Sequence, residues 1–387
     1  MRTPELEKTK EILAELVAFP TVSADSNLEL IGFASNLLTD LGARTSVSFD
    51  PSGTKANLFA TLGPEGDGGI VLSGHTDVVP VDGQDWTSDP FVLDEREGRL
   101  YGRGTCDMKG FIACCLATAP FFAKARLKRP LHFAFTYDEE IGCFGARVLL
   151  EELKKAGIRP SVAIIGEPTS MRVIEAHKGC YEYTTEFHGV EGHGSNPEAG
   201  VNAVEYAVRY VVRLMELAGQ LKTRAPATNR FSPPWTTLQI GRIAGGVAHN
   251  VIAGHCTVDW EMRPVQSSDA DFVKSNIGAY VEETLKPAMK ASFPQADIVT
   301  RTIGEVEGLE PVPDSEARRL VSELTGAQDA EAVAFGTEAG LFQKAGISSV
   351  ICGPGSIEQA HKADEFVALG QLQACLGMLE RLHGKLT

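Results

Sequence analysis

The sequence predicts an α/β sandwich interrupted by an inserted α+β domain, and three observations carry that expectation. Continuous apolar runs such as Val162–Gly166 (VAIIG) have the signature of strands buried on both faces. Helix-period and strand-like segments alternate through the first part of the chain, the pattern of a layered α/β domain. From about Lys178 to Leu309 the pattern becomes strands of strict alternation with two long helices, after which the first pattern returns.

In order, helical periodicity covers Glu5–Val17 and Leu28–Leu41, followed by strands at Arg44–Phe49, Asn57–Leu62 and Ile70–Ser73. The segment FVLDEREGRLYGRG reads as a hairpin turning at Glu97–Gly98. A long apolar helix is expected over Met108–Ala123, then the strand LHFAFTYD, a helix over Gly145–Ala156 and the strand VAIIGE. The middle segment runs GCYEYTTEFHG (strand), Asn202–Leu217 (helix), TTLQIGRIAGG and HCTVDWEMRPV (strands), Asp269–Lys290 (helix) and ADIVTRTIGEV (strand). That βαββαβ order is the ferredoxin-like arrangement. A helix over Ser315–Leu324, the strand SSVICG and a C-terminal helix from Ala363 close the chain. The expected domains are 1–177 with 310–387, and the insertion 178–309, consistent with 387 residues being too many for one ordinary core.

The apolar fraction of 43% and charged fraction of 22% are those of a globular protein. No run approaches the ~20 apolar residues that span a bilayer. The N-terminal MRTPELEKTKEILAEL is a charged amphipathic stretch without the apolar core of a signal peptide, so a cytoplasmic address is expected. A formal charge of −15 repels phosphate backbones and anionic lipids, so neither nucleic acid nor membrane is expected as a partner. The eight cysteines form no CxxC pair and read as reduced, small buried hydrophobes. Cys106 and Cys143 lie near the motifs below, but neither is assigned as a ligand.

Five side chains of metal-binding type sit at the ends of apolar runs: His75 (LSGHTDVVP), Asp107 (GRGTCDMKG), Glu140 (FTYDEEIG), Glu167 (IIGEPTS) and His361 (QAHKADEF). Two imidazoles and three carboxylates suit a pair of zinc-like ions, one carboxylate bridging and each ion keeping one His and one private carboxylate. Asp77, two residues past His75, is expected on the same strand face, accepting the imidazole's other N–H. Asp107 follows a Gly-rich turn, where the alternative is a helix N-cap. Glu139 and Glu140 end a strand and are expected to point to opposite sides, one ligating while the other serves as general base. Hydrolysis is the chemistry this set points to. In the insertion, His193 lies in a Gly-flanked loop and Asn250 follows a glycine pair. Arg263 ends an alternating strand, where it is suited to hold a carboxylate or, alternatively, a surface ion pair.

GHTDVVP, GRGTCDMKG, the Glu139–Glu140 pair, GEPT and the late His361 resemble the zinc-dependent aminoacylase, acetylornithine deacetylase and succinyl-diaminopimelate desuccinylase family of metallohydrolases. The resemblance covers nearly the whole chain and implies a three-layer, zinc-peptidase-like catalytic domain with a lid and dimerisation insert. It implies two Zn²⁺ per subunit, with Co²⁺ or Mn²⁺ as substitutes: His75 and Glu167 on one, Glu140 and His361 on the other, Asp107 bridging. It also implies Glu139 as general acid/base, Asp77 as the partner of His75, and a homodimer in which His193 reaches the partner's site to stabilise the oxyanion. Asn250, Arg263 and the glycines around Gly355 match positions that meet the substrate's carboxylate. The stretches GEPTSMRVIEAHKG, EGHGSNPEAGVNAVE, GTEAG and GPGSIEQAHKADEF resemble the acetylornithine deacetylase branch, implying removal of the acetyl group of N2-acetyl-L-ornithine; a desuccinylase or a broader N-acyl-amino-acid deacylase is the alternative, and a non-catalytic metal-binding scaffold the alternative of another class. For a basic substrate, Glu338 is the acidic group expected to meet the side-chain ammonium.

Overall fold

The structure, a computed structural model, describes residues 4–227 and 230–387, so Met1–Thr3 of the expected N-terminal amphipathic stretch lie outside the described residues. The chain divides into two compact units. One runs to Ala176 and resumes over Pro311–Ala332 and Thr337–Thr387; the other comprises His177–Glu310 and Val333–Gly336.

The strands of the two main sheets are, in chain order, β1 (Arg44–Phe49), β2 (Ala56–Leu62), β3 (Ile70–His75), β4 (Leu131–Thr136), β5 (Val162–Pro168), β6 (Ile174–His177), β7 (Cys180–His188), β8 (Thr237–Gly245), β9 (His255–Arg263), β10 (Asp297–Val306), β11 (Glu331–Val333) and β12 (Ser348–Gly353). The eight-stranded sheet is ordered β1-β2-β4-β3-β5-β12-β6-β11. Its centre is parallel, β3 pairing with both β4 and β5 and β5 with β12. Every residue of β3, β4 and β5 is buried, which is why these strands read as unbroken apolar runs.

The two faces of β3 show the layering. Ile70 and Leu72 join a core cluster with the helices Pro4–Ala18, Leu28–Asp40, Lys109–Lys124, Glu316–Thr325 and Leu369–Leu386. Ser73, on the other face, donates to Glu338 at the start of the helix Ala339–Lys344. The fold is the α/β architecture expected.

The second unit has the βαββαβ order, its sheet arranged β8-β9-β7-β10 and antiparallel throughout. Alternate residues of β7 (Tyr181, Tyr183, Phe187) pack on the helices Ala203–Leu221 and Ser267–Tyr280, while the intervening ones face away.

Two expected helices differ. The one read as Asp269–Lys290 is broken into Ser267–Tyr280, a π-helical turn at Val281–Leu285 and Lys286–Ser292. Pro287 has no N–H to give and its ring crowds the carbonyl four residues back, which opens the ladder there. The last helix begins at Leu369, not Ala363, because Phe366–Ala368 pairs as a strand with Arg99–Tyr101. Among the described residues, no helix is long and apolar enough to cross a membrane. The cysteines are unpaired.

Candidate metal centre

His75 ends β3, fully buried, and Glu167 lies in β5, the neighbouring parallel strand. Asp107 lies in the turn before the helix Lys109–Lys124. The N-cap of that helix is Met108, with no side-chain cap bond, so Asp107 is not spent on capping. Glu139 and Glu140 follow β4 and His361 follows β12, in a loop where it adopts a left-handed backbone (φ 63°). Five segments thus deliver their side chains to one place.

Asp107 organises the set. Its Oδ1 lies 3.0 Å from Nε2 of His75, and its Oδ2 lies 3.5 Å from Nε2 of His361. His361 Nε2 is also 3.0 Å from Glu140 Oε2, and His75 Nε2 is 3.8 Å from Glu167 Oε1. One carboxylate therefore faces two imidazoles with different oxygens, and each imidazole has a further carboxylate of its own. Ligand atoms of His75, Asp107 and Glu140 lie within 4.8 Å of one another, as do those of His75, Glu139 and Glu167.

The electrostatics ask for cations. Burial raises the Glu139 and Glu167 carboxyls well above the usual range, and the neighbouring carboxylates add to it. Glu140 is raised for the same reasons, burial first and then Asp107. Burial works against a charged ring at His75, yet Asp107, Asp77 and Glu167 together hold its pKa well above the imidazole range. Hydrogen bonds to Asp107 and Glu140 push His361 up to about 10. Glu167 Oε1 is buried without a hydrogen-bond partner. An orphaned buried oxygen among crowded carboxylates and two imidazoles is what a cation-binding donor set looks like without its charge compensation. The residues fit a pair of zinc-class ions.

Two sequence expectations need correction. His75 Nδ1 lies 2.9 Å from the backbone carbonyl of Asp77, and the Asp77 carboxylate is farther, at 3.6 Å. The strand has ended at His75, so the period of two no longer governs Asp77. The Asp77 carboxylate instead accepts from Ser23 Oγ (2.7 Å) and from the backbone N–H groups of Glu139 (3.1 Å) and Glu140 (3.3 Å). It clamps the turn that carries both glutamates. Strand alternation fails at Glu139 and Glu140 for the same reason: β4 stops at Thr136, Asp138 is left-handed (φ 53°), and both glutamates turn into the His75 cluster.

Glu338 is also corrected. Rather than facing a ligand, it is fully buried, accepting from Thr136 Oγ1 (2.5 Å) and Ser73 Oγ (3.3 Å). Burial holds its pKa at about 7. Gly355 is left-handed (φ +92°), and a Cβ there would meet Cys106 Sγ at 2.6 Å, so glycine is required for the loop to pass over the Asp107 turn. Burial places the Cys106 thiol far above its ordinary range, as an inert group.

Sequence reasoning missed Arg103 and Glu365. They form a buried ion pair (2.7 Å). Glu365 Oε1 accepts from the backbone N–H of Cys106 (2.9 Å) and Asp107 (3.0 Å), and Oε2 from Gly104 (3.1 Å). Arg103 donates to the carbonyl of Lys362 (3.2 Å) and to Gln84 Oε1 (2.5 Å), while Gln84 donates to the carbonyl of His361 (3.0 Å). One network therefore holds both the Asp107 turn and the His361 loop. The available signal was a charged Arg between two glycines and a Glu four residues after His361.

In the second unit, His193 and Asn250 are neighbours. Gly192–His193 pairs with Val251–Ile252, and the N–H of Gly194 donates to the Asn250 carbonyl at 2.7 Å. The N–H of Ser195 donates to His193 Nδ1 (3.2 Å), which makes Nδ1 an acceptor and leaves the proton of the neutral ring on Nε2. Arg263 gives Nε and Nη2 to Glu261 Oε2 (3.0 and 2.7 Å), the ion-pair alternative, so that edge of its guanidinium is already engaged.

A sequence profile described as peptidase family M20/M25/M40 matches residues 71–385. The chain is 38% identical over 381 residues to an acetylornithine deacetylase of Proteus mirabilis (strain HI4320), covering 96% of this chain and 95% of that one. Among solved structures it resembles aminopeptidase PepT from Bacillus cereus ATCC 10987, with TM-score 0.71 and 18% identity over 97% of this chain and 96% of that one. It also resembles the Bacillus subtilis YXEP protein, described as a dinuclear metal binding peptidase from the M20 family, with TM-score 0.64 and 17% identity over 98% and 97% of the two chains. With the buried His75 and its carboxylates gathered in one cluster, the exposed His361 reaching Asp107 and Glu140 from its loop, and the profile covering most of the chain, this protein is a metallohydrolase belonging to peptidase family M20/M25/M40.

Proposed function

We propose that this chain hydrolyses the acetamide of N2-acetyl-L-ornithine, releasing acetate and L-ornithine, a step of arginine biosynthesis. The observation that carries the reading is the Asp107 carboxylate with one oxygen toward each histidine, in a chain 38% identical over most of its length to an acetylornithine deacetylase.

His75 and Glu167 would hold one Zn²⁺, Glu140 and His361 the other, and Asp107 both; Co²⁺ or Mn²⁺ suits the same donors. When bound, such ions supply Lewis-acid polarisation of a carbonyl and a water pKa lowered toward ~7. Glu139 is the proton carrier. Its carboxylate lies with His75 and Glu167 at the centre, where it is placed to take a proton from water and return it to the departing amine nitrogen. Asp77 holds Glu139 and Glu140 in place by their backbone N–H groups. His193, with its proton on Nε2, is the proposed donor to the oxyanion of the tetrahedral intermediate. Asn250 and the remaining N–H groups of Arg263 are the proposed contacts for the substrate carboxylate.

The second unit is proposed as a lid and dimerisation domain. The helix Ala203–Leu221 exposes Val208, Val212 and Met215 at helical spacing, an apolar stripe suited to a second copy.

Release of acetate from N-acetylornithine and N-acetylmethionine, and of succinate from N-succinyl-diaminopimelate, by zinc-loaded protein tests the substrate. Preference for N-acetylornithine is expected; preference for the succinyl substrate would replace the reading with a desuccinylase.

A further inference from the structure

The face of β7, β9 and β10 turned away from the helices carries a cluster that the proposed hydrolysis does not use. His188 and His255 are direct cross-strand partners at the ends of β7 and β9, their rings 5.3 Å apart between centroids. Directly opposed residues of an antiparallel pair project from the same face. Glu186, two residues before His188 on β7, projects from it too. Its Oε2 lies 3.4 Å from His188 Nε2. One ligand atom from each of the three lies within 4.8 Å of the others.

We propose that Glu186, His188 and His255 form a site for a divalent transition-metal ion of the zinc, nickel or copper class, additional to the centre in the first unit. Imidazole nitrogens with one carboxylate are the donor set these ions prefer over the oxygen-only shells of Mg²⁺ and Ca²⁺. Two ligands about 2 Å from a tetrahedral ion sit about 3.3 Å apart, so the three side chains need close only a small distance, by rotamer adjustment. The strands supply the rigidity, since opposed backbone positions are held by the sheet ladder. Two neighbouring charges bear on the site. Arg301 Nη2 rests 3.2 Å from Glu186 Oε2, on a side chain exposed enough to swing into solvent when a cation arrives. Asp297, opposite His188 on β10, is engaged by Lys290 at 3.1 Å and is not counted as a ligand. Three protein donors leave a further position on the ion for water or a small ligand.

The full-length chain and its His188→Ala/His255→Ala variant, equilibrated at the same free zinc concentration, are compared by atomic emission. Wild type is expected to retain about one more equivalent per chain than the variant. Glu186→Gln is expected to release that equivalent at lower chelator concentration than wild type. Equal zinc content in wild type and the double variant overturns the site. If the double variant fails to fold, cobalt(II) titration of the wild-type chain read by NMR decides. Paramagnetic shifts at the rings of both His188 and His255 support the site, and unshifted rings overturn it.

Discussion

At the scale of single residues, Glu139 and Glu338 illustrate how position divides one side-chain type into two tasks. Both carboxylates have raised pKa values, but Glu338 is fully buried and satisfied by two hydroxyls, whereas Glu139 is half-buried beside His75 and Glu167. Glu139→Gln is expected to keep its metal, by elemental analysis, while kcat falls about 10²–10⁴-fold, the usual contribution of a positioned acid/base. Glu338→Gln is expected to leave the preference for basic over neutral acyl-amino acids unchanged; a selectivity change would return it to the substrate pocket. Away from the centre, burial lowers His132 to about 4, helped by Arg44, and lowers His177 to about 4. Each stays neutral when folded but binds a proton below 6.5 when unfolded, so the unfolded chain takes up more protons between those values. Their stabilising contribution is complete above pH 6.5 and declines as pH falls toward 4. Urea unfolding across that range is expected to show the slope, and His132→Asn to flatten it.

At the scale of elements, the centre is held by turns that are tied together from outside. Asp77 fixes the Glu139–Glu140 turn, and Glu365 fixes the Gly104–Asp107 turn while its partner Arg103 reaches the His361 loop. Glu365→Ala removes three backbone acceptor contacts and leaves the Arg103 guanidinium buried without its carboxylate. The loss is expected to be about 3–5 kcal/mol of stability, as for other broken buried pairs. Zinc affinity is expected to drop about 10–100-fold, the usual consequence of releasing a ligand's support. Chelator competition measures the second effect separately from thermal melting, and unchanged affinity in a folded variant would reduce Glu365 to a purely structural role. Local sequence marked Arg103 and Glu365 only as charged residues near the motifs, and their pairing was not legible there. Glu365 lies 258 residues from the Asp107 N–H it accepts.

At the scale of the whole molecule, the proposed dimer makes His193 a donor in trans. His193→Ala and Glu139→Gln are each expected to be inactive alone. Mixed and allowed to exchange subunits, they are expected to recover about a quarter of wild-type activity, because half the dimers are mixed and each mixed dimer has one complete site. No recovery would place His193 outside the partner's site. Met215→Glu, in the exposed stripe, is expected to shift sedimentation toward the monomer and to lower activity with it.

The sequence alone determined the classes of structure that depend on short-range periodicity: buried parallel strands, the alternating sheet of the insertion, and the metal-binding side chains placed where apolar runs stop. Those are properties of neighbours two to four residues apart, set by backbone geometry. Only the tertiary structure decided which oxygen faces which imidazole, that the Asp77 carboxylate holds the Glu139–Glu140 turn while its backbone carbonyl meets the His75 ring, and that Glu338 is sealed inside. These depend on where strands end and on hydrogen bonds between segments far apart in the chain. Left-handed backbone at Asp138 and His361, in loops tied down by such distant bonds, aims the side chains in directions that no local period encodes.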